Sequence, residues 1–196
     1  MIKALAVDFG GVYFSWNWEE YWKGLEEITG VDKESLKRLP SRIWEYQVNK
    51  ISNKEFWDHF CKGVGKQIPH EILNTFVENQ FKPIPHVIEH LKKCKEKHQL
   101  VLFANQTEML DRLNEKHAFY DNFHHIISSF KVGVQKPDKA MFDLLLQRTG
   151  EEAQNILLID DTLTNVEAAR NLGFQALLFS KDTDLEKELI QRAEQT

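Results

Sequence analysis

Three carboxylates in this sequence stand directly after short apolar runs. Asp8 follows Ile2-Lys3-Ala4-Leu5-Ala6-Val7, and the pair Asp160-Asp161 follows Ile156-Leu157-Leu158-Ile159. A third run, Leu100-Val101-Leu102-Phe103-Ala104, ends on Asn105, and Lys136 lies in the loop-like stretch Gly133-Val134-Gln135-Lys136-Pro137-Asp138. Runs this short and this uniformly apolar read as strands buried on both faces, as in a parallel sheet. Open parallel sheets bind ligands outside the carboxyl ends of their strands. Asp8, Asn105, Asp160 and Asp161 therefore converge on one edge, which Lys136 reaches from its loop. Carboxylates gathered at one spot repel unless a cation sits among them, which points to a hard, oxygen-bound ion such as Mg²⁺. The lysine offsets remaining charge and gives an anionic substrate a cationic site. A carboxylate nucleophile, a metal to screen it and donors for non-bridging oxygens are the parts of phosphoryl transfer through an aspartyl-phosphate. Each signal is weak alone, since an Asp after a strand is more often a turn or cap residue. Their combination carries the reading. Gly10 and Gly11 would let the backbone turn sharply beside Asp8.

The elements that must position these groups alternate. After the first strand, the stretch from Trp16 to about Phe81 reads as helical throughout. Trp18, Tyr21, Trp22, Leu25 and Ile28 mark one face of a helix ending near Gly30. A second helix opens at Asp32 and Glu34, a third pattern holds Ile43, Trp44 and Val48, and Ser52-Asn53-Lys54-Glu55 has the form of a capping box. Pro69 to Phe81 closes the group, which holds all five tryptophans. These aromatics are expected mainly to form the segment's own core, some of them facing the substrate. Beyond Pro83 and Pro85, helices at about 87–97, 109–113, 139–148 and 165–172 alternate with strands at 100–104, 126–128, 156–159 and 176–179. The alternation argues for an α/β, doubly wound, mostly parallel sheet. Residues 1–14 and 83–196 would form the α/β core, with 15–82 inserted as a helical unit. Asp138 is expected to cap the helix after Pro137.

The bulk properties narrow the function. A chain of 196 residues with 42% hydrophobic and 28% charged residues is an ordinary globular domain. A net charge of -5 leaves no basic footprint for nucleic acid. No apolar run reaches membrane-spanning length, and no secretory signal is read, so a cytoplasmic protein without a membrane partner is expected. Cys61 and Cys94 show no metal or redox spacing and read as structural thiols. The neighbours His124 and His125 would point to opposite faces of a strand, and the scattered His59, His70, His86 and His117 lack metal-site spacing.

The motifs Val7-Asp8-Phe9-Gly10-Gly11-Val12, Phe103-Ala104-Asn105, Gly133-x-x-Lys136-Pro137-Asp138 and Ile159-Asp160-Asp161-x-x-x-Asn165-Val166-Glu167-Ala168-Ala169 occur in one order along nearly the whole chain. In this the chain resembles the haloacid dehalogenase-like (HAD) superfamily, and within it sugar-phosphate phosphatases and the phosphatase domain of soluble epoxide hydrolase. The resemblance implies a Rossmann-like fold with a C1 cap and a Mg²⁺-dependent phosphatase acting on a small phosphorylated metabolite. It makes Asp8 the nucleophile and a metal ligand, Gly10 a metal ligand through its backbone carbonyl, and Asp161 the acidic metal ligand. Asp160 and Asn165 would support that ligand set from behind, Asn105 would contact the phosphoryl group, and Lys136 would orient Asp8 and stabilise charge. A dehalogenase fits less well, because that chemistry does not need Asp161. Two positions depart from the pattern. Gly10 stands where the family's acid/base Asp is usual, and such general acid–base help is worth ~10²–10⁴ in rate. Ala104 replaces the usual Ser or Thr, and one lost transition-state donor can cost ~10²–10³. Gln106 and Thr107 are candidates to replace that hydroxyl. The alternative reading is a catalytically weak or inactive binding or regulatory protein that keeps the metal and phosphate geometry.

Overall fold

In the computed structural model, which describes residues 1–194, the chain opens with β1 (Ala4–Val7), fully buried along its length. A tight turn leads to the short β2 (Phe14–Ser15), and then come five helices: α1 (Trp18–Thr29), α2 (Lys33–Lys37), α3 (Ile43–Gln47), α4 (Asn53–Val64) and α5 (His70–Gln80). The short β3 (Lys82–Pro83) pairs antiparallel with β2, so the two crossings between sheet and helical segment lie side by side. The rest alternates: α6 (Pro85–Cys94), β4 (Gln99–Ala104), α7 (Met109–His117), β5 (His125–Ser128), α8 (Ser129–Val132), α9 (Lys139–Thr149), β6 (Ile156–Asp160), α10 (Leu163–Asn171), β7 (Gln175–Leu178) and α11 (Leu185–Glu194).

The five long strands pair in the order β5-β4-β1-β6-β7, every pair parallel. The chain winds outward from β1 on one side and then on the other, as a doubly wound sheet requires. Side chains alternate between two apolar layers, as the period of a strand dictates. Leu5, Val7, Leu100, Leu102, Leu157 and Ile159 face one layer, and Ala4, Ala6, Val101, Phe103, Ile156 and Leu158 face the other. Because Val7 is in register with Ile159, Asp8 follows the end of β1 beside Asp160, the last residue of β6.

The helical segment has its own apolar cluster of Leu25, Leu36, Trp57, Cys61 and Leu73. The capping box forms as expected: Glu55 N–H donates to Ser52 Oγ, and Ser52 N–H donates to Glu55 Oε2. Gly30 ends α1 in the left-handed conformation. A polar knot sits inside. Asn74 Oδ1 accepts from the indole N–H of Trp57 at 2.7 Å and from Asn53 Nδ2 at 2.9 Å, and Asn53 Nδ2 also donates to the Tyr46 hydroxyl. Arg112 and Lys116 of α7 reach Glu71 and Glu78 of α5, tying the segment to the α/β unit at the surface. Cys61 and Cys94 are free thiols. Among the described residues no helix is long and apolar enough to cross a membrane.

The structure corrects several expectations at the level of elements. The β2–β3 pair, α8 and α11 have no counterpart in the sequence reading, and α10 begins at Leu163 rather than Asn165. Asp138 occupies the N-cap position of α9, but its side chain makes no cap hydrogen bond. Removing the Asn74 carboxamide would orphan the buried Trp57 N–H, which costs about 1–3 kcal/mol. Asn74→Ala is expected to lower the urea midpoint accordingly. An unchanged midpoint would mean the knot contributes nothing to the segment's stability.

Candidate active site

The carboxyl edge of the sheet gathers the expected charges. Lys136 Nζ, wholly buried, lies 3.0 Å from Asp8 Oδ1 and 2.6 Å from Asp160 Oδ2. Beneath it the Phe103 ring centroid is 5.3 Å away, adding a favourable cation–π contact. Asp8 Oδ1 also accepts from the Phe9 N–H at 2.7 Å. No described residue bonds Asp8 Oδ2. One oxygen of Asp8 is thus held while the other is left for chemistry.

Asp160 is entirely buried and its acceptors are filled. Oδ1 takes the Thr162 N–H and Asn165 Nδ2, and Oδ2 takes Lys136 Nζ and Asn165 Nδ2. Asp161 is exposed beside it, and the Thr162 hydroxyl donates to its side chain at 3.2 Å. Asp8, Asp160 and Asp161 each offer a carboxylate oxygen within 4.8 Å of the others. Three carboxylates face one ammonium, and the surplus negative charge suits an oxygen-bound divalent cation. Asp8 and Asp161 could hold such an ion, with Asp160 and Asn165 hydrogen-bonded to each other behind them. Gly11, at φ +82°, brings the backbone so close to Asp161 that a Cβ there would overlap its carboxylate.

Electrostatics follow from the crowding. Burial raises the Asp8 carboxyl to about 7; Lys136 pulls it down, while Asp160 and Asp161 push it up. Burial and then Asp160 raise Asp161 as well. Burial acts to lower the Lys136 ammonium, but Asp8 and Asp160 outweigh it, and the group stays firmly protonated.

A family model for haloacid dehalogenase-like hydrolases matches residues 2–173. The chain belongs to this family. A sesquiterpene phosphatase of Aspergillus oryzae is 28% identical over 193 residues, covering 89% of this chain and 88% of that protein. A drimenol cyclase of Aspergillus calidoustus is 26% identical over 201 residues, covering 96% of this chain but 36% of the cyclase, so the chain spans about a third of that relative's length. Among solved structures, a variant of a HAD family enzyme of Bacteroides thetaiotaomicron, in complex with magnesium and inorganic phosphate, aligns with a TM-score of 0.87. It is 20% identical, over 96% of this chain and 99% of that one, a likeness that establishes the HAD fold.

Some HAD motif positions behave differently from expectation. The Asn105 side chain is not free for a ligand: its Nδ2 donates to the Lys136 carbonyl and its Oδ1 accepts the Lys136 N–H, both at 2.8 Å. It therefore fixes the lysine loop, and any contact with a ligand falls to its backbone. Ala104 is fully buried in an apolar layer and does not line the cavity above Asp8. Thr107 does line it, but its hydroxyl accepts the Met109 N–H at the start of α7. Gly10 also lines it; a Cβ there would meet open space, and its backbone is outside the left-handed region. Three histidines make contacts away from Asp8: His124 Nδ1 accepts the Leu100 N–H, and His59 and His70 contact Pro40 and Asp58; His86 lines a neighbouring cavity with Gly11, Trp16 and Asp161.

Two site residues escape the sequence reading. The buried Ser129 hydroxyl donates to the Gln47 carbonyl at 2.7 Å and accepts the Gln106 N–H, and Gln47 Nε2 donates to the Asn105 carbonyl. Together they anchor the end of α3 over the strand edge. The helical segment closes a cavity of about 600 Å³ above Asp8. Four of the five tryptophans line it, Trp16, Trp18, Trp44 and Trp57, while Tyr21, Trp22, Phe56, Trp57, Phe60 and Phe76 pack in the segment's own cluster, so the aromatics serve both core and cavity.

Without a cation the fold binds the Asp8 proton more tightly than the unfolded chain, whose carboxyl titrates near 3.8. This stability is fully present below 3.8 and is lost as the pH rises through about 7. Asp8→Asn removes the titrating charge and leaves Lys136 paired with Asp160. In EDTA above about pH 7 the variant is expected to melt several degrees higher than the wild type, with the gap closing as the pH falls. A lower melting temperature for the variant throughout would contradict this electrostatic assignment.

Proposed function

We propose that this HAD hydrolase is a Mg²⁺-dependent phosphatase that cleaves a small phosphomonoester through an aspartyl-phosphate on Asp8, with the helical segment of residues 15–82 acting as a C1 cap. The observation that carries the reading is the asymmetry of Asp8. Its Oδ1 is pinned by Lys136 and the Phe9 N–H, and no described residue bonds Oδ2. The A. oryzae phosphatase and the phosphate-bound neighbour support the reaction class.

A bound Mg²⁺ would neutralise the facing carboxylates and withdraw charge from a phosphoryl oxygen. The protein's own groups do the rest. Asp8 Oδ2 attacks phosphorus, the bond to the substrate alcohol breaks, and the departing oxygen takes a proton from water. Lys136 favours the ionised form of Asp8 and aims it, and the Asn105 backbone N–H donates to a non-bridging oxygen. Water then attacks the phosphorus of the acyl phosphate, releasing inorganic phosphate and regenerating the carboxylate. Among the described residues lining the cavity, the titratable side chains apart from Asp8, Lys136 and Asp161 are Tyr21 and Tyr46, neither of them a carboxyl or histidine that could replace the absent acid at position 10. Burial pushes both phenols up to about 12, so neither is a base near neutral pH. Turnover therefore depends steeply on the leaving group.

With Mg²⁺, p-nitrophenyl phosphate is expected to be hydrolysed by the wild type and not by Asp8→Asn; equal activity in the two would defeat the proposal. A Cβ at position 10 meets open space, and Gly10→Asp is expected to raise kcat on alkyl phosphates by ~10²–10⁴, with a smaller effect on p-nitrophenyl phosphate. No gain on either substrate would mean that proton transfer is already supplied. Gly11→Ala drives a methyl against Asp161 and is expected to weaken Mg²⁺ binding in calorimetry. Unchanged affinity would remove Asp161 from the ligand set.

A further inference from the structure

The cavity above Asp8 is unevenly walled. Its charged groups, Asp8, Lys136 and Asp161, all belong to the strand edge, and among the described residues no arginine, histidine or second lysine lines it. The opposite wall is largely aromatic: Trp16, Trp18, Tyr21, Trp44, Phe56 and Phe81. Several polar side chains on that side are engaged within the protein, while the buried Trp16 indole N–H has no partner. Asn74 Oδ1 accepts from Trp57 and Asn53, the Tyr46 hydroxyl accepts from Asn53, and Gln47 Nε2 donates to Asn105. A polyol bound there would exchange its water hydrogen bonds for aromatic carbon, a net cost. Hydrocarbon would gain by the same transfer. Trp18 and Trp44 line the cavity while remaining 62% and 58% exposed, so they border its open side. Large apolar side chains left uncovered at the rim of a pocket mark a surface that awaits apolar contact. The volume, about 600 Å³, leaves ample room beyond a phosphoryl group.

We propose that the substrate is the phosphomonoester of an apolar alcohol, its phosphoryl group at Asp8 and its hydrocarbon tail along the aromatic wall under Trp18 and Trp44. The head-group half rests on the phosphatase reading; the tail half rests on the cavity wall alone. The site thus selects by tail length and apolarity rather than by hydroxyl pattern. The reaction that supplies its substrate must be one that leaves a phosphate on a hydrocarbon alcohol.

The test is a series of n-alkylphosphonates from butyl to decyl, which cannot be hydrolysed. Binding to the Mg²⁺-loaded wild type is read by tryptophan fluorescence, and inhibition is read against p-nitrophenyl phosphate. Affinity is expected to rise about fourfold per added methylene until the cavity is filled. Trp18→Ala and Trp44→Ala, at largely exposed positions, are expected to flatten the slope for the longer tails with little change in melting temperature. A flat series in the wild type, a slope untouched by either variant, or tighter binding of glucose 6-phosphate than of hexylphosphonate would overturn the proposal. A fluorescence slope without any p-nitrophenyl phosphate turnover would defeat the phosphatase reading and leave the apolar site standing.

Discussion

A fully buried ammonium needs anions around it, and the site is organised by that requirement. Removing the Lys136 charge from water costs several kcal/mol unless it is paired in good geometry. Asp8 and Asp160 supply the pairing, which requires their two strands to be neighbours and in register. The loop that carries Lys136 is held by both ends of the Asn105 carboxamide, so β4 also takes part. Once the lysine is placed, Asp8 is aimed. A third carboxylate, Asp161, then leaves the cluster with more negative charge than the lysine offsets, which makes it receptive to a divalent cation.

The helical segment converts this electrostatic edge into an enclosed site. Its internal polar groups satisfy one another through Asn53, Asn74, Trp57 and Tyr46, leaving mostly aromatic carbon toward the cavity. The end of α3 is fastened to the strand edge by Ser129 and Gln47. The surface pairs of Arg112 and Lys116 with Glu71 and Glu78 add little individually, as exposed ion pairs generally do. Position 10 is the contrast. It lies at the cavity, where a Cβ would meet open space, and carries no side chain.

Much of this was legible in the sequence for identifiable reasons. Strands such as Leu100–Ala104 and Ile156–Ile159 are continuous apolar runs because the sheet is covered on both faces, and the residues that follow them form the candidate site. Asp8, Lys136, Asp160 and Asp161 could be named from position alone. The direction of the aromatics could not, because the stripe of α1 carries Leu25 into the segment's core and Trp18 to the rim of the cavity. The Asn105–Lys136 latch spans 31 residues and has no local signature. The two-residue strands β2 and β3 are too short to show a period, although the helical segment leaves and rejoins the α/β unit through them. Ala104 reads as a lost donor, but the structure places it in an apolar layer away from the cavity.

The central claim is that Asp8 carries the phosphoryl group. Acid quenching during turnover, followed by borohydride reduction and peptide sequencing by mass spectrometry, tests it directly, because borohydride converts an acyl phosphate of aspartate into homoserine. Homoserine at position 8, and at no other aspartate, is the expected result. Turnover with aspartate intact at position 8, or with homoserine at Asp160 or Asp161, would contradict it.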